Sequence, residues 1–331
     1  MRFDDDDLKT ITAISDALNT SLATVEVLPG SIEQWQTDPA VPFLLVDRNL
    51  GLPQKLLYKL YPFASSLLRQ LRSTSSSSFP SSSPATTTLL NACSIILITN
   101  PAHYTALNQR KRLILSGHLS MKQELHFSTL LLSSSRLASK QSILWDYRRW
   151  LFQTQYNDEG HSGLIPAALL REELDAILQS CETHPRNYYA WAHWEFCLES
   201  LHDACINTTM AKDEYSPVIA YAFSQLLRWI EHHLSDYTAA HHLCRLVHRF
   251  HELKVLEHWL DFDLTFSRLL KQVISLLTRY TDHEALWMYL RALWAINEDQ
   301  AFRDDLEALL LSLPTCKYRE QCISWFNIAL T

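Results

Sequence analysis

Histidine is the densest metal-capable residue type in one stretch of this chain. HHLCRLVHRFHELKVLEHW, residues 241–259, puts His248 and His251 three apart, with His258 beyond. Imidazoles three apart on a helix share a face, which is one way a helix presents two ligands to zinc. The stretch contains no HExxH and no cysteine pair that would complete a tetrahedral set. Surface or hydrogen-bonded histidines are therefore expected. No GxSxG, Walker loop or GxGxxG occurs, so hydrolase and nucleotide-driven chemistry lack a starting point. Asp and Glu are scattered along helix faces, with no pair standing out as general acid and base. The seven cysteines, an odd number without a CxxC, read as reduced thiols in the core.

Aromatic and basic residues offer two further kinds of site. HPRNYYAWAHWEF, residues 184–196, sets Tyr188, Trp191 and Trp194 three apart behind a proline and an asparagine. Such a ladder either stacks on a ligand or is one copy of a packing unit. Arg110, Lys111 and Arg112, and the pair Arg148 and Arg149, sit in equivalent turns of neighbouring units. Arg110 and Arg148 are expected to pair with acids between repeats; the functional alternative is contact with a partner or with the acidic side of a protein substrate.

Composition limits the scaffold that positions these residues. Of 331 residues, 47% are apolar, enough to fill a sizeable core. Only 5 are glycine, where an average chain has ~7%, so tight hairpins and phosphate-cradling loops are poorly supplied. An all-α chain is the economical reading. The net charge of −7 argues against a nucleic-acid partner, which needs a basic face. No run reaches the ~20 apolar residues of a transmembrane segment; the longest, LLNACSIILI, ends at Asn100-Pro101. The start MRFDDDD lacks the parts of a signal peptide, and its acidic run reads as a solvated tail. With reduced thiols, this points to a cytoplasmic protein.

STSSSSFPSSSPATTT, residues 73–88, has little to bury and reads as a disordered insert. It separates an N-terminal segment, 1–72, from a helical region, 89–331. Prolines keep the first segment partly irregular, with short helices near 8–22 and 53–72. The second region repeats. One slot holds Leu107, Trp145, Trp191, Ala240 and Trp287, spaced by 38, 46, 49 and 47 residues. Three residues earlier stand Tyr104, Ser142, Tyr188, Tyr237 and Glu284. An apolar stripe precedes each, as in Leu170, Leu174, Ile177, Leu178 and Cys181. Each unit is thus a helical hairpin, and stacking about five makes an α-α superhelix, or solenoid. The stretch from Phe302 to Leu330, interrupted by Pro314, caps the last unit. Tyr188 and Trp191 are expected to point together into the neighbouring hairpin, and proline to open several of the second helices.

The repeated form, a loop with proline followed by Tyr-x-x-Trp-x-x-Arg, resembles the alpha-subunit repeat of protein prenyltransferases. NPAHYTALNQRKRL, KQSILWDYRRWLF and PRNYYAW carry it best. A divergent repeat-containing branch of that family is similar also in FLLVDRNLGLPQKLLYKL and LILSGHLSMKQELHFSTLLL. The resemblance implies a right-handed superhelix embracing a separate beta subunit, which holds the catalytic zinc, the isoprenoid cavity and most diphosphate contacts. No cofactor or metal then belongs to this chain. A geranylgeranyltransferase-type heterodimer is implied, with a Rab-type beta subunit, geranylgeranyl diphosphate and a protein substrate bearing C-terminal cysteines. The histidine-rich stretch would face the beta subunit. The alpha subunit lends a lysine to the diphosphate, five residues before the second-repeat tryptophan; here that is Lys140, before Trp145. Asn187, Tyr188 and Tyr189 fall at the family's substrate-binding loop, and Tyr104, Trp145, Arg148, Trp191 and Trp287 at its structural repeat positions. The pattern departs at Ser142, where farnesyl-type enzymes have tyrosine, and at Tyr189, where they have histidine. The repeat arginine is lost at Trp194, Leu243 and Leu290. A non-catalytic helical-repeat scaffold for protein–protein interaction is the alternative, although tetratricopeptide arrays have a shorter period, ~34 residues.

Overall fold

The computed structural model describes residues 5–35, 41–74, 84–156, 163–207, 212–251 and 265–329. Among these residues the chain is all-α apart from one three-stranded sheet. It divides into two compact units, residues 1–163 with 176–193 and residues 164–175 with 194–331.

The first unit opens with α1 (Asp5–Leu18), whose first turn carries Asp5, Asp6 and Asp7. Negative charge is favoured at a helix N-terminus, and Asp7 also pairs with Lys59 at 2.7 Å. Asp5, Asp6 and Asp7 therefore start a helix and are not a loose tail. Then come β1 (Thr24–Leu28), β2 (Leu44–Val46) and β3 (Asn49–Pro53), with β3 central, parallel to β1 and antiparallel to β2. The all-helical expectation missed this sheet, because strands of three to five residues carry too little alternation to read. Gly51 lets β3 pass its neighbour: a Cβ there would stand 2.6 Å from Leu28 Cδ1.

α2 (Gln54–Thr74) and α3 (Pro84–Thr99) flank the Ser-rich insert. Pro84 opens α3, where its missing N–H costs nothing. Helix thus covers 84–88 as well, with Thr86 buried, while 75–83 lies outside the described residues. Residues 91–98 of α3 are all buried, because α1, α2, α4 (Tyr104–Leu115) and α5 (Met121–Ser134) surround it. The longest apolar run of the sequence is therefore a core helix. No described helix is long and apolar enough to cross a membrane. Ser120 and Gln123 close a reciprocal cap at the start of α5. A one-turn helix α6 (Arg136–Ser139) and then α7 (Ser142–Tyr156) follow, α7 lying against α5.

The hairpin of α8 (Ala167–Thr183) and α9 (Tyr188–Asn207) contributes residues to both units. In the second unit α10 (Lys212–His232) pairs with α11 (Tyr237–His251), and α12 (Phe266–Arg279) with α13 (Glu284–Ile296). α14 (Gln300–Ser312) and α15 (Lys317–Ala329) end it, α14 on α12 and α15 on α13. The repeat slot falls on the second helix of every pair. Leu107, Trp145, Trp191, Ala240 and Trp287 are all buried. Trp145 Nε1 donates to Ser139 O at 2.9 Å and Trp287 Nε1 to Thr281 O at 2.8 Å, each six residues back.

Two expectations fail here. Tyr188 does not follow Trp191 inward: it is 75% exposed, while Trp191 is 1% exposed. Tyr104 and Tyr237 are exposed as well. Positions three apart differ by ~60° around the axis, and a first-turn residue has no preceding turn to cover it. Nor does proline open these helices. Pro101 and Pro185 lie in the turns ahead of α4 and α9. The residue just before the helix caps it instead: His103 Nδ1 accepts from Ala106 N, and Asn187 Oδ1 from Ala190 N.

Candidate functional site

Lys140 stands at the corner between α6 and α7, as the residue that ends α6. Ser135 caps that short helix by accepting from Ala138 N, and the N–H groups of Lys140 and Gln141 both return to Ala138 O. Ser139, fully buried, anchors the corner from below. Its carbonyl accepts from Trp145 Nε1 at 2.9 Å and from Asn187 Nδ2 at 2.7 Å. Its hydroxyl lies 2.7 Å from Ser180 Oγ and 2.9 Å from Ser180 O. This knot joins the turn before α7 to the turn before α9. Lys140 itself is exposed and has no ion pair among the described residues. A cation on a fixed backbone without a carboxylate partner is suited to an anionic ligand.

The three loop residues of the next turn separate. Asn187 is 1% exposed, and its amide is spent on Ser139, Ser180 and the cap of α9. It is an interior brace, because both ends of the amide already have partners. Tyr188 and Tyr189 are exposed and meet edge to face, ring centroids 5.4 Å apart. Sequence reasoning missed Ser139 and Ser180, whose small polar side chains carry no pattern of their own.

The basic residues also separate. Arg110 is buried and forks onto Glu124, Nε to Oε1 at 2.8 Å and NH2 to Oε2 at 2.6 Å, while NH1 donates to Ser94 Oγ. Tyr147 donates to the same Glu124, and burial pushes its phenol well up. Arg110 thus does pair with an acid on the next hairpin. Arg148, also buried, donates to Leu125 O and Ser128 Oγ on α5. Lys111 lies over the Trp150 ring at 4.6 Å, and burial lowers its pKa. Of these basic residues, Arg110 and Arg148 therefore belong to the interior.

In the second unit Glu195 gathers Arg245, Arg249 and His242. His248 is exposed; His258 and the side chain of His251 lie outside the described residues. Among the described residues no three His, Cys, Asp or Glu side chains converge as a metal set. All seven cysteines are free, five of them buried, and burial pushes the Cys93 thiol up to about 12.

The protein prenyltransferase alpha subunit repeat matches residues 170–201, which run from α8 through its turn into α9. The chain is 30% identical over 166 residues to protein prenyltransferase alpha subunit repeat-containing protein 1 of Homo sapiens, covering 46% of this chain and 38% of that protein. To the Danio rerio protein of the same name it is 29% identical over 181 residues, 51% and 38% of the two lengths. To protein 1-B of Xenopus laevis it is 23% identical over 249 residues, 63% and 55% of the two lengths. The matches thus span roughly two fifths to just over half of these relatives' lengths. The hairpins, the buried tryptophan slot and these matches agree: the chain carries the protein prenyltransferase alpha subunit repeat and is related to the vertebrate repeat-containing proteins.

Proposed function

We propose that this chain is the alpha subunit of a protein geranylgeranyltransferase heterodimer. It holds the beta subunit and lends Lys140 to the isoprenoid diphosphate. What supports this reading is the Lys140 corner, an exposed ammonium without an ion pair on a backbone locked by Ser139, Ser180, Asn187 and Trp145. As the thioether to the substrate cysteine forms, the C–O bond to the diphosphate breaks and negative charge builds on the leaving oxygen. An ammonium already in place offsets that charge without reorganising. In this reading a Rab-type beta subunit brings zinc, which activates the acceptor thiol when bound, and the cavity for the geranylgeranyl chain. Tyr188 and Tyr189 form part of the rim that the protein substrate crosses.

The test is to purify the chain with its native beta partner from cytoplasmic extract and compare wild type with Lys140→Ala. The heterodimer stays intact, and geranylgeranyl transfer slows on the order of 10²-fold. Equal turnover at saturating and at limiting geranylgeranyl diphosphate discards the lysine's role. A second reading, a scaffold that binds other proteins without an isoprenoid, is favoured by Ser142 in the tyrosine slot and by the exposed Tyr104 and Tyr188. Under it, the co-purified partner binds no geranylgeranyl diphosphate.

A further inference from the structure

We infer that Arg136 is a second cation for the isoprenoid diphosphate, acting beside Lys140 from the same face of α6; this rests on the transferase reading of the Lys140 corner. Arg136 begins α6 and Lys140 ends it, four residues later. Side chains four apart on a helix are neighbours, with Cβ atoms ~5–6 Å from each other. Burial marks the face they share. Arg136, Leu137 and Lys140 are exposed, whereas Ala138 and Ser139 are wholly buried.

Among the described residues, neither cationic side chain has an ion pair or a hydrogen bond. The partner that steadies a helical lysine is a carboxylate four residues earlier. Here that position holds a guanidinium, which repels it. The chain has 36 acidic residues against 29 basic ones, yet no described carboxylate reaches either group. The turn beneath them is held from several sides. Ser139 N donates to Ser135 O at 3.0 Å and Ala138 N to Ser135 Oγ at 3.2 Å. The Ser139 carbonyl accepts from both Trp145 and Asn187. Two like charges are thus presented side by side on a fixed backbone.

That arrangement suits an anion with two charged centres. A diphosphate has two phosphoryl groups where a carboxylate is a single centre. The guanidinium fork can grip one phosphoryl group through two parallel N–H···O bonds, and the ammonium supplies a point charge to the other. Leu137, 52% exposed, stands beside both cations. It gives the same ligand an apolar neighbour, which fits an isoprenoid tail better than an acidic peptide.

The test is geranylgeranyl transfer by the purified heterodimer, with KM taken separately for geranylgeranyl diphosphate and for the protein substrate. Arg136→Gln raises KM for geranylgeranyl diphosphate about ten-fold, the loss of a hydrogen-bonded charge. It leaves KM for the protein substrate unchanged and melts with wild type, since the side chain is exposed. Arg136→Lys keeps the charge and recovers part of the loss. Arg136→Glu does more harm than Arg136→Gln, because a carboxylate four residues ahead of Lys140 pairs with it and occupies the ammonium as well. Inorganic pyrophosphate titrated into the same heterodimers binds in the same order, wild type most tightly and Arg136→Glu least. Lys140→Ala separates the two ways of failing. If it slows transfer while Arg136→Gln leaves KM for geranylgeranyl diphosphate unchanged, or while Arg136→Glu does no more harm than Arg136→Gln, the role of Arg136 falls alone. A rise confined to KM for the protein substrate also overturns that role and gives Arg136 to the acidic side of the protein. Normal transfer by Lys140→Ala removes the reading of the whole corner, Arg136 included.

Discussion

Among single residues, the sharpest energetic claim concerns Arg110. Its guanidinium and the Glu124 carboxylate are both out of water, so each is tolerable only because the other is there. Arg110→Ala leaves Glu124 buried and uncompensated, with an expected loss of ~3–5 kcal/mol by urea denaturation. Replacing the pair together by Met and Leu costs much less, and a double variant as unstable as the single one would contradict this account. Glu195 carries a pH dependence. Burial opposes its charge, but the neighbouring His242 imidazole and the Arg249 and Arg245 guanidinium groups outweigh burial and hold the carboxyl below its ordinary value. A depressed carboxyl contributes stability above its unfolded pKa, ~4.3, and that contribution is lost as pH falls through the lower folded value. The stability gap between wild type and Glu195→Gln is thus full near neutrality and closes below about pH 4. Thermal melts across that range check it; a constant gap removes the carboxylate from the explanation. The proposal for Lys140, by contrast, rests on the repeat register, because nothing in an exposed lysine marks it locally.

For whole helices, the tryptophan slot was legible and the tyrosine slot was misread. Five slot residues at similar spacing all proved buried, since a stacked hairpin must cover one fixed face of its second helix. Tyr188 shares that side by helical wheel yet lies at the first turn, where a side chain can project past the ends of the neighbouring helices. The consequence is measurable. Trp191→Ala should cost ~3–5 kcal/mol, and Tyr188→Ala within ~0.5 kcal/mol, both by chemical denaturation. Comparable losses would mean that Tyr188 is packed after all. The small sheet was illegible because β1 and β3 pair across 25 residues, a contact no local window contains.

On the scale of the molecule, the proposed division of labour predicts that the isolated chain transfers no isoprenoid. Geranylgeranyl transfer to a cysteine-terminated protein should appear only when the co-purified partner is added, and turnover by the chain alone would refute it. The sequence by itself determined the helical class, the repeat and its register, because apolar periodicity and scarce glycine constrain every local conformation in the same direction. Only the tertiary structure decided which polar residues face inward. Burial of Arg110, Asn187 and Ser139 depends on partners from 14 to 48 residues away, and hydrogen bonding at such range is set by how helices meet, not by the residues that flank each donor.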